Sequence, residues 1–498
     1  MVARSSPKAR RWLCRTIFFV LYTLFVSFLV SFAYVLSHLD DIDTAIPSTA
    51  GAEHSPARVL STAPENVQYV DRGARNGGRR PTVPSDFRLA SLTCDGLEAS
   101  ESQEMVYWQN IPEDNAYTSP FYREGTDRQY LTFAMDEGGF NNIRMAYETV
   151  LAMSHAMGRT IVLPPEQEVY LLYSTDQGKQ RIFGFRDFFP IDNIAADTAG
   201  LDIITAEEFL IREALSGNLR DKATGAKSFP PKNRTNWDGD EEAVIHELQP
   251  WLETVAFVPS WDPEECIAAF PSTPGHVPSE AFKLMVQEEF DRGAFPSYEA
   301  FIGNPTPVYA NATLRLAESL NGRENVCVYN EEDEKLVHFH GNRERGGRLL
   351  VHFYAFLFFE NWQEDLWTKR FIRDKVRYND EIQCAAGRIV AAIRQLAADG
   401  EFDAFHVRRG EFQYKRTRVS AQDMYDISSE QIPDNSTVYI ATDERNKGFF
   451  RDLAKRYNVL FLDDFQDLLA GLDANYYGMV DQLIASRSRT YFGCWFST

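Results

Sequence analysis

Tyr130-Leu-Thr-Phe-Ala-Met-Asp-Glu-Gly-Gly-Phe-Asn-Asn-Ile-Arg144 is the stretch whose reading decides the fold. Tyr130 to Ala134 reads as a buried strand. It runs into Met135 to Asn142, a turn whose two glycines allow close backbone approach. Ile143, Ala146, Tyr147, Val150, Met153 and Met157 then recur at helical spacing. Gly158 stands where a helix C-cap is expected. Thr160-Ile-Val-Leu163 is a second strand, stopped by Pro164 and Pro165. Strand, Gly-turn, helix and strand in so short a span make a βαβ unit.

Outward from that unit, residues 170–345 alternate apolar patches with polar, Pro-rich insertions and show no comparable pattern. Phe353 to Ala398 reads as a long helical region containing Trp362, Trp367, Phe371, Val376 and Ile382. A second α/β series follows, with strands at Phe402–Val407, Val438–Ala441, Val459–Leu462 and Thr490–Phe492. Helical segments fall around Lys447 to Tyr457 and Tyr477 to Ser486. The series predicts a doubly wound sheet, which binds ligands beyond the carboxyl ends of its strands. The fold class expected is therefore α/β, with two Rossmann-like halves over residues 94–350 and 351–498.

The amino terminus predicts a membrane anchor. Thr16 to Leu36 is an uncharged run of 21 residues, enough to cross the hydrocarbon core as a helix. Arg4, Lys8, Arg10, Arg11 and Arg15 precede it, and Asp40, Asp41 and Asp43 follow. The positive flank belongs in the cytosol, so the rest is expected in the lumen of the ER or Golgi. The segments predicted are a cytosolic tail (1–15), an anchor (16–37) and a flexible stem (38–93), poor in aromatics and rich in Ser, Ala, Pro, Gly and Arg. The triplets Asn233-Arg-Thr235, Asn311-Ala-Thr313 and Asn435-Ser-Thr437 match the glycosylation acceptor pattern. Of six cysteines, Cys14 flanks the anchor, leaving five beyond it. At least one of those five should stay unpaired, and one or two bridges are expected.

With 498 residues, 44% hydrophobic and 25% charged, the chain can build two sizeable cores. Its net charge of −21 argues against a nucleic-acid partner, which would need concentrated Lys and Arg. A local basic pocket for one anionic molecule remains compatible with that total.

His406-Val-Arg-Arg-Gly410 is the candidate for such a pocket. Strand alternation puts Phe405 and Val407 on one face and His406 and Arg408 on the other. An arginine at a strand's carboxyl end can fork onto a diphosphate and stabilise charge on a departing nucleotide. The alternative is an Arg–carboxylate bridge holding two halves together. Gly138 to Asn142 with Arg144 opens a helix and could cradle a phosphate or simply close a turn; it is not a dinucleotide fingerprint. Asp238-Gly-Asp240 resembles a metal-holding Asp-x-Asp but sits in a polar loop. His338 and His340 share a strand face and read as ordinary strand residues before a metal pair. Asp463-Asp464 ends a strand as a turn or cap pair.

Together these blocks resemble the GDP-fucose protein O-fucosyltransferase family and its plant and algal relatives. They are Gly138-Gly-Phe-Asn-Asn-Ile-Arg144 with Gly158 to Pro165, His406 to Phe412, Tyr439-Ile-Ala-Thr-Asp-Glu444, and Asp481 to Ala485 through Phe492 to Thr498. The resemblance implies a GT-B-like fold, acceptor side first and donor side second, and inverting transfer without a metal or other cofactor. GDP-fucose is the implied donor, and a protein Ser/Thr or a glycan the acceptor. By position, Arg408 would contact the β-phosphate and Asn142 would orient the reacting groups. Glu137 is a candidate base. Gly138, Gly139, Phe140, Asn141, Arg144, His406, Arg409, Thr442, Asp443, Asp481, Ser497 and Thr498 would line the donor site. Members more often carry Asp at the place of Glu411, and they continue beyond Thr498, which implies a donor half lacking its last structure. The rivals are a fucosyltransferase acting on polysaccharide and a non-catalytic sugar-nucleotide or glycan binder.

Overall fold

The computed structural model describes residues 104–109, 111–136, 138–170, 182–238, 247–259, 266–271, 333–341, 357–410 and 418–493. It also describes the strand 325–328 and Leu92, Cys94, Leu172 and Tyr354. The expected anchor and nearly all of the stem lie outside these residues. Among the described residues no helix is long and apolar enough to cross a membrane.

The opening βαβ unit forms as its pattern dictates. Strand β1 (Tyr130–Phe133) leads through the Gly-turn into helix α1 (Phe140–Ala156), and β2 (Thr160–Leu163) follows. Gly158 takes φ +62, and a Cβ there would lie 2.3 Å from the Phe121 carbonyl carbon, so the helix stop requires glycine. Two further strands complete a parallel sheet in the order β3-β2-β1-β6: β3 (Ile203–Thr205), unforeseen in the sequence, and β6 (Leu336–Phe339), which holds His338 as a strand residue. A second parallel sheet, also unforeseen, joins β5 (Asn325–Val328), β4 (Cys266–Phe270) and β7 (Phe358–Phe359). Helix α2 (Gln249–Val255) packs beside β6.

The region expected to be helical over Phe353 to Ala398 instead carries strand β7 before its first helix, and the rest is two helices, α3 (Trp362–Lys375) and α4 (Asp380–Leu396), broken at Val376 to Asn379. Asn361 caps α3 by accepting from the Gln363 N–H at 2.9 Å. Then come β8 (Phe402–Val407), α5 (Ala421–Ser428), β9 (Thr437–Thr442), β10 (Asn458–Leu460), α6 (Tyr477–Ala485) and β11 (Tyr491–Phe492). Their sheet is fully parallel, ordered β10-β9-β8-β11. These four strands fall where the sequence placed them. Asp464 accepts the Phe461 N–H at 2.8 Å, as a cap residue should.

Alternation along the strands sorts side chains into three cores. Leu131, Phe133, Ile161 and Leu163 face one continuous core that also takes Phe402, Ala404, Tyr439 and Ala441 of the other sheet. Tyr130, Val162 and Ile204 line a core on the far side of the first sheet. Phe405, Val407, Val438 and Ile440 line one on the far side of the third. Helix α1 is buried along nearly its whole length. His155 on it stacks on Trp367 of α3, ring centroids 4.0 Å apart, and burial lowers its pKa to about 4.

Leu92, placed by the sequence at the end of the stem, is fully buried in the shared core. Beside it Cys94 is bridged to Cys384 of α4, closing a span of 290 residues. A crosslink over so long a loop typically stabilises by about 2–5 kcal/mol. Thermal unfolding with and without reductant should therefore show a drop of several degrees on reduction. Cys384→Ser should lose as much and respond no further to reductant; an unchanged midpoint in both would contradict the bridge.

Candidate active site

Both singled-out motifs sit where strand order reverses. In the first sheet β1 is followed by β2 and β3 on one side, while β6 arrives on the other. In the third, β8 is followed by β9 and β10 on one side, and β11 arrives on the other. The Gly138–Asn142 turn leaves the carboxyl end of β1, and Arg408-Arg409-Gly410 leaves that of β8. At such switch points the flanking connections run in opposite directions and leave a crevice for ligands.

The turn after β8 is held by one carboxylate. Asp443, one residue past β9, accepts the Arg409 N–H at 2.6 Å and the Gly410 N–H at 3.0 Å. A Cβ on Gly410 would lie 2.7 Å from that carboxylate, so glycine is needed for the approach. The Arg408 Nε stands 3.6 Å from Asp443, at the outer edge of an ion pair, with about a third of its side chain exposed. Thr442 locks the same corner, donating to the Val407 carbonyl at 2.7 Å and accepting the Glu444 N–H at 3.0 Å. Arg409 turns aside to Glu444 at 3.0 Å and lies 3.7 Å over the Phe449 ring. His406 is half-buried; burial first, then the Arg408 charge, lowers its pKa against the pull of Asp443. The imidazole is thus neutral at pH 7, beside a guanidinium. The Arg408–Asp443 pair joins two strand ends of one sheet, so the alternative of a bridge between halves does not describe it.

On the β1 side, Asp136 accepts the Gly138 N–H at 2.8 Å and sets the turn. The Asn142 side chain packs onto Gly138, where a Cβ would meet its Nδ2 at 2.1 Å. Gly139 is the N-cap of α1, and it offers no side-chain cap. Phe140 is an anchor, its ring 4.5 Å from Phe188 and 6.1 Å from Tyr378.

Hydrogen bonds connect the two corners. Gln482 on α6 donates to the Asn141 side-chain oxygen. The Tyr378 hydroxyl donates to the Gln482 oxygen at 2.6 Å, and Arg144 donates to that hydroxyl at 3.0 Å and to Glu148 at 2.8 Å. Next to Gln482, Asp481 accepts from the Tyr439 hydroxyl of β9 at 2.5 Å. The path thus runs from the Gly-turn through α6 to β9, whose end carries Thr442 and Asp443.

Residues 130–498 match the family model of GDP-fucose protein O-fucosyltransferase, from the first residue of β1 onward. The chain belongs to this family. Its enzyme class is accordingly that of a GDP-fucose-dependent O-fucosyltransferase. No curated protein matches the chain in sequence. Among solved structures, POFUT1 in complex with GDP-fucose is 13% identical over 75% of this chain and 99% of its own, at a TM-score of 0.28. POFUT1 in complex with GDP is 13% identical, covering 75% and 93%, at 0.33. The fucosyltransferase NodZ from Bradyrhizobium is 11% identical, covering 73% and 87%, at 0.30. At such TM-scores these likenesses carry no argument, and membership rests on the family match.

Within the O-fucosyltransferase frame, the described donor-site candidates divide by what they touch. Arg408 and His406 stand at the switch point. Arg409, Thr442 and Asp443 shape its backbone, and Asn141 and Arg144 belong to the hydrogen-bonded path. Glu137, Ser497 and Thr498 lie outside the described residues. Asp238 accepts the Glu166 N–H at 3.0 Å, while Asp240 lies outside the described residues. His338 is fully buried, 2.9 Å from the Thr132 hydroxyl; burial and His340 lower its pKa to about 3. Among the described residues no group of three His, Cys, Asp or Glu could hold a metal ion. Asp136, Tyr378, Tyr439 and Gln482 were given no role in the sequence, although Asp136, Tyr439 and Gln482 lie in quoted stretches, because each acts on a partner that its local pattern does not reveal.

Burial raises the Asp481 pKa to about 7, against the Tyr439 hydrogen bond and the Lys447 charge, which lower it. The folded state then binds this proton more tightly than the unfolded chain, whose carboxyl titrates near 4. The resulting loss of stability begins above pH 4, grows up to about pH 7 and is constant beyond. Denaturant unfolding should show Asp481→Asn gaining on the wild type by up to about 1.4 kcal/mol per pH unit across that window. A difference independent of pH would contradict the assignment.

Proposed function

We propose that the protein transfers fucose from GDP-fucose to a hydroxyl of a protein Ser/Thr or of a glycan in the secretory pathway. The reading adopts a GT-B arrangement, with residues 16–37 as a type II signal anchor in the Golgi or ER membrane. The observation that carries it is Arg408 at the switch-point end of β8, inside a family match that includes all three parallel sheets described.

In this reading the acceptor oxygen attacks the anomeric carbon of fucose from the face opposite the nucleotide. The bond from that carbon to the β-phosphate oxygen breaks, and its electron pair leaves with GDP. The acceptor proton passes to a base, for which Glu137 is the candidate. Arg408 neutralises charge growing on the leaving diphosphate, where a fixed guanidinium is worth most. Asp443 supports it indirectly, by fixing the backbone of Arg409 and Gly410. His406, neutral beside it, can donate or accept one hydrogen bond without adding charge. Asn142, packed on Gly138 at the start of α1, orients the reacting groups.

Calorimetry on the purified chain should show GDP binding more tightly than UDP or CMP; a preference for UDP would overturn the donor. Arg408→Ala should lower turnover of GDP-fucose by about 100-fold or more, with an unchanged unfolding midpoint. Wild-type turnover retained in that variant would show the arginine misplaced.

Lumenal placement has its own test. Asn233 and Asn435 are both exposed, each with positive φ on a turn. In the folded protein Thr437 is buried at the start of β9, so Asn435 must be modified before that strand docks. Glycopeptide mapping of protein made in a secretory host should find N-glycans at Asn233 and Asn435. Unmodified asparagines at both would contradict the lumenal assignment.

A further inference from the structure

We propose that Gln482 is a positioning residue for fucosyl transfer: through Asn141 and Tyr378 it fixes the Gly138–Asn142 turn against the donor half. The inference rests on the fucosyl-transfer reading and gives a role to a residue that lies inside the Asp481–Ala485 block but was assigned none there. Its basis is one pair of hydrogen bonds made by a single amide. The Gln482 nitrogen donates to Asn141, in the first turn of α1, and its oxygen accepts from Tyr378, in the break between α3 and α4. Three chain segments, separated by 237 and 104 positions, therefore meet on one side chain.

The surroundings make that meeting rigid on the Tyr378 side. Tyr378 is 2% exposed. The Arg144 guanidinium lies 4.8 Å from its ring centre and donates to its hydroxyl, so the hydroxyl proton is directed at Gln482. Arg144 is itself fixed by Glu148 one turn along α1. Asn141 and Arg144 are three apart on α1 and thus share a face. Gln482 is followed by Leu483 and Ile484 in the shared core and preceded by Asp481, bonded to β9. A shift of α6 therefore moves both the Gly-turn and the strand that ends at Asp443.

Asn142, proposed to orient the reacting groups, adjoins Asn141. Arg408, proposed to assist the leaving group, rests on Asp443. The clasp thus governs the distance between two groups that act in the same step without itself touching substrate. Nucleotide binding, centred on the donor half, should depend on it much less than the chemical step does. Misplacement of reacting groups by about 1 Å can cost on the order of 100-fold in rate.

The test compares Gln482→Ala, Gln482→Met and Gln482→Glu in the full chain, with Tyr378→Phe as a second lesion. Methionine keeps the length and packing but makes neither hydrogen bond. Glutamate accepts from Tyr378, and from Asn141 once that amide turns over. Alanine and methionine should both lower kcat by about 10-fold or more, with KM for GDP-fucose and Kd for GDP within about threefold of wild type. Glutamate should restore kcat to within about fivefold. Tyr378→Phe should cost much less in the Gln482→Met background than alone, because the two share one interaction. Wild-type kcat in Gln482→Met, or equal losses in kcat and nucleotide affinity, would overturn the proposal. Should alanine fail to fold, the methionine and glutamate pair decides. A wild type that turns over no GDP-fucose would count against the functional reading itself, whereas an active wild type with active Gln482→Met counts against the clasp alone.

Discussion

The burial of helix α1 is the constraint on which the other parts depend. Beyond its first turn, Tyr147, Val150, Leu151 and Met153 are fully inaccessible, each worth about 1.5–3 kcal/mol relative to exposure. The core that takes them runs on without a gap to Ile389 and Ile393 of α4 and to Phe402, Ala404 and Tyr439 of the third sheet. One apolar mass therefore serves both α/β series. That leaves the first turn of α1, the least buried part of the helix, with its position set by everything behind it. The Gly-turn, Asn141 and Arg144 lie there, at the border between core and crevice.

Polar atoms take over where the core ends. On the donor side the Asp443 carboxylate fixes two successive backbone N–H groups after β8, and Thr442 ties that corner to the Val407 carbonyl. On the other side Asp136 performs the same service for Gly138. Each switch-point turn is thus shaped by a carboxylate accepting from backbone.

Much of this fold was legible in the sequence, and the reasons are local. Strands β1, β2, β8 and β9 are short apolar runs ending in Gly, Pro, Asp or Arg, and α1 follows the helical period from Ile143 to Met157. Gly158 was readable as a helix stop because positive φ favours glycine. The sheet of β4, β5 and β7 was not legible. Its strands are two to five residues long and lie far apart in the chain, so their pairing carries no short-range signature. The break between α3 and α4 was missed for a related reason: Val376-Arg-Tyr-Asn379 holds no Pro or Gly, and the turn is imposed by bonds from Asn379 to the backbone of Phe188, Arg186 and Asp187. At the candidate site, Arg408 and Asn142 were singled out through motif position. Gln482 and Tyr378 were not, since a glutamine on a helix face looks solvated until its partners 341 and 104 residues away are known.

The central claim is that a diphosphate sits beyond β8, facing the turn that opens α1. A crystal structure of the protein with GDP tests it most directly. The account predicts β-phosphate oxygens within hydrogen-bonding distance of the Arg408 guanidinium, with the Gly138–Asn142 turn across the same crevice. A nucleotide bound elsewhere, with Arg408 still turned to Asp443 and the crevice empty, would contradict it.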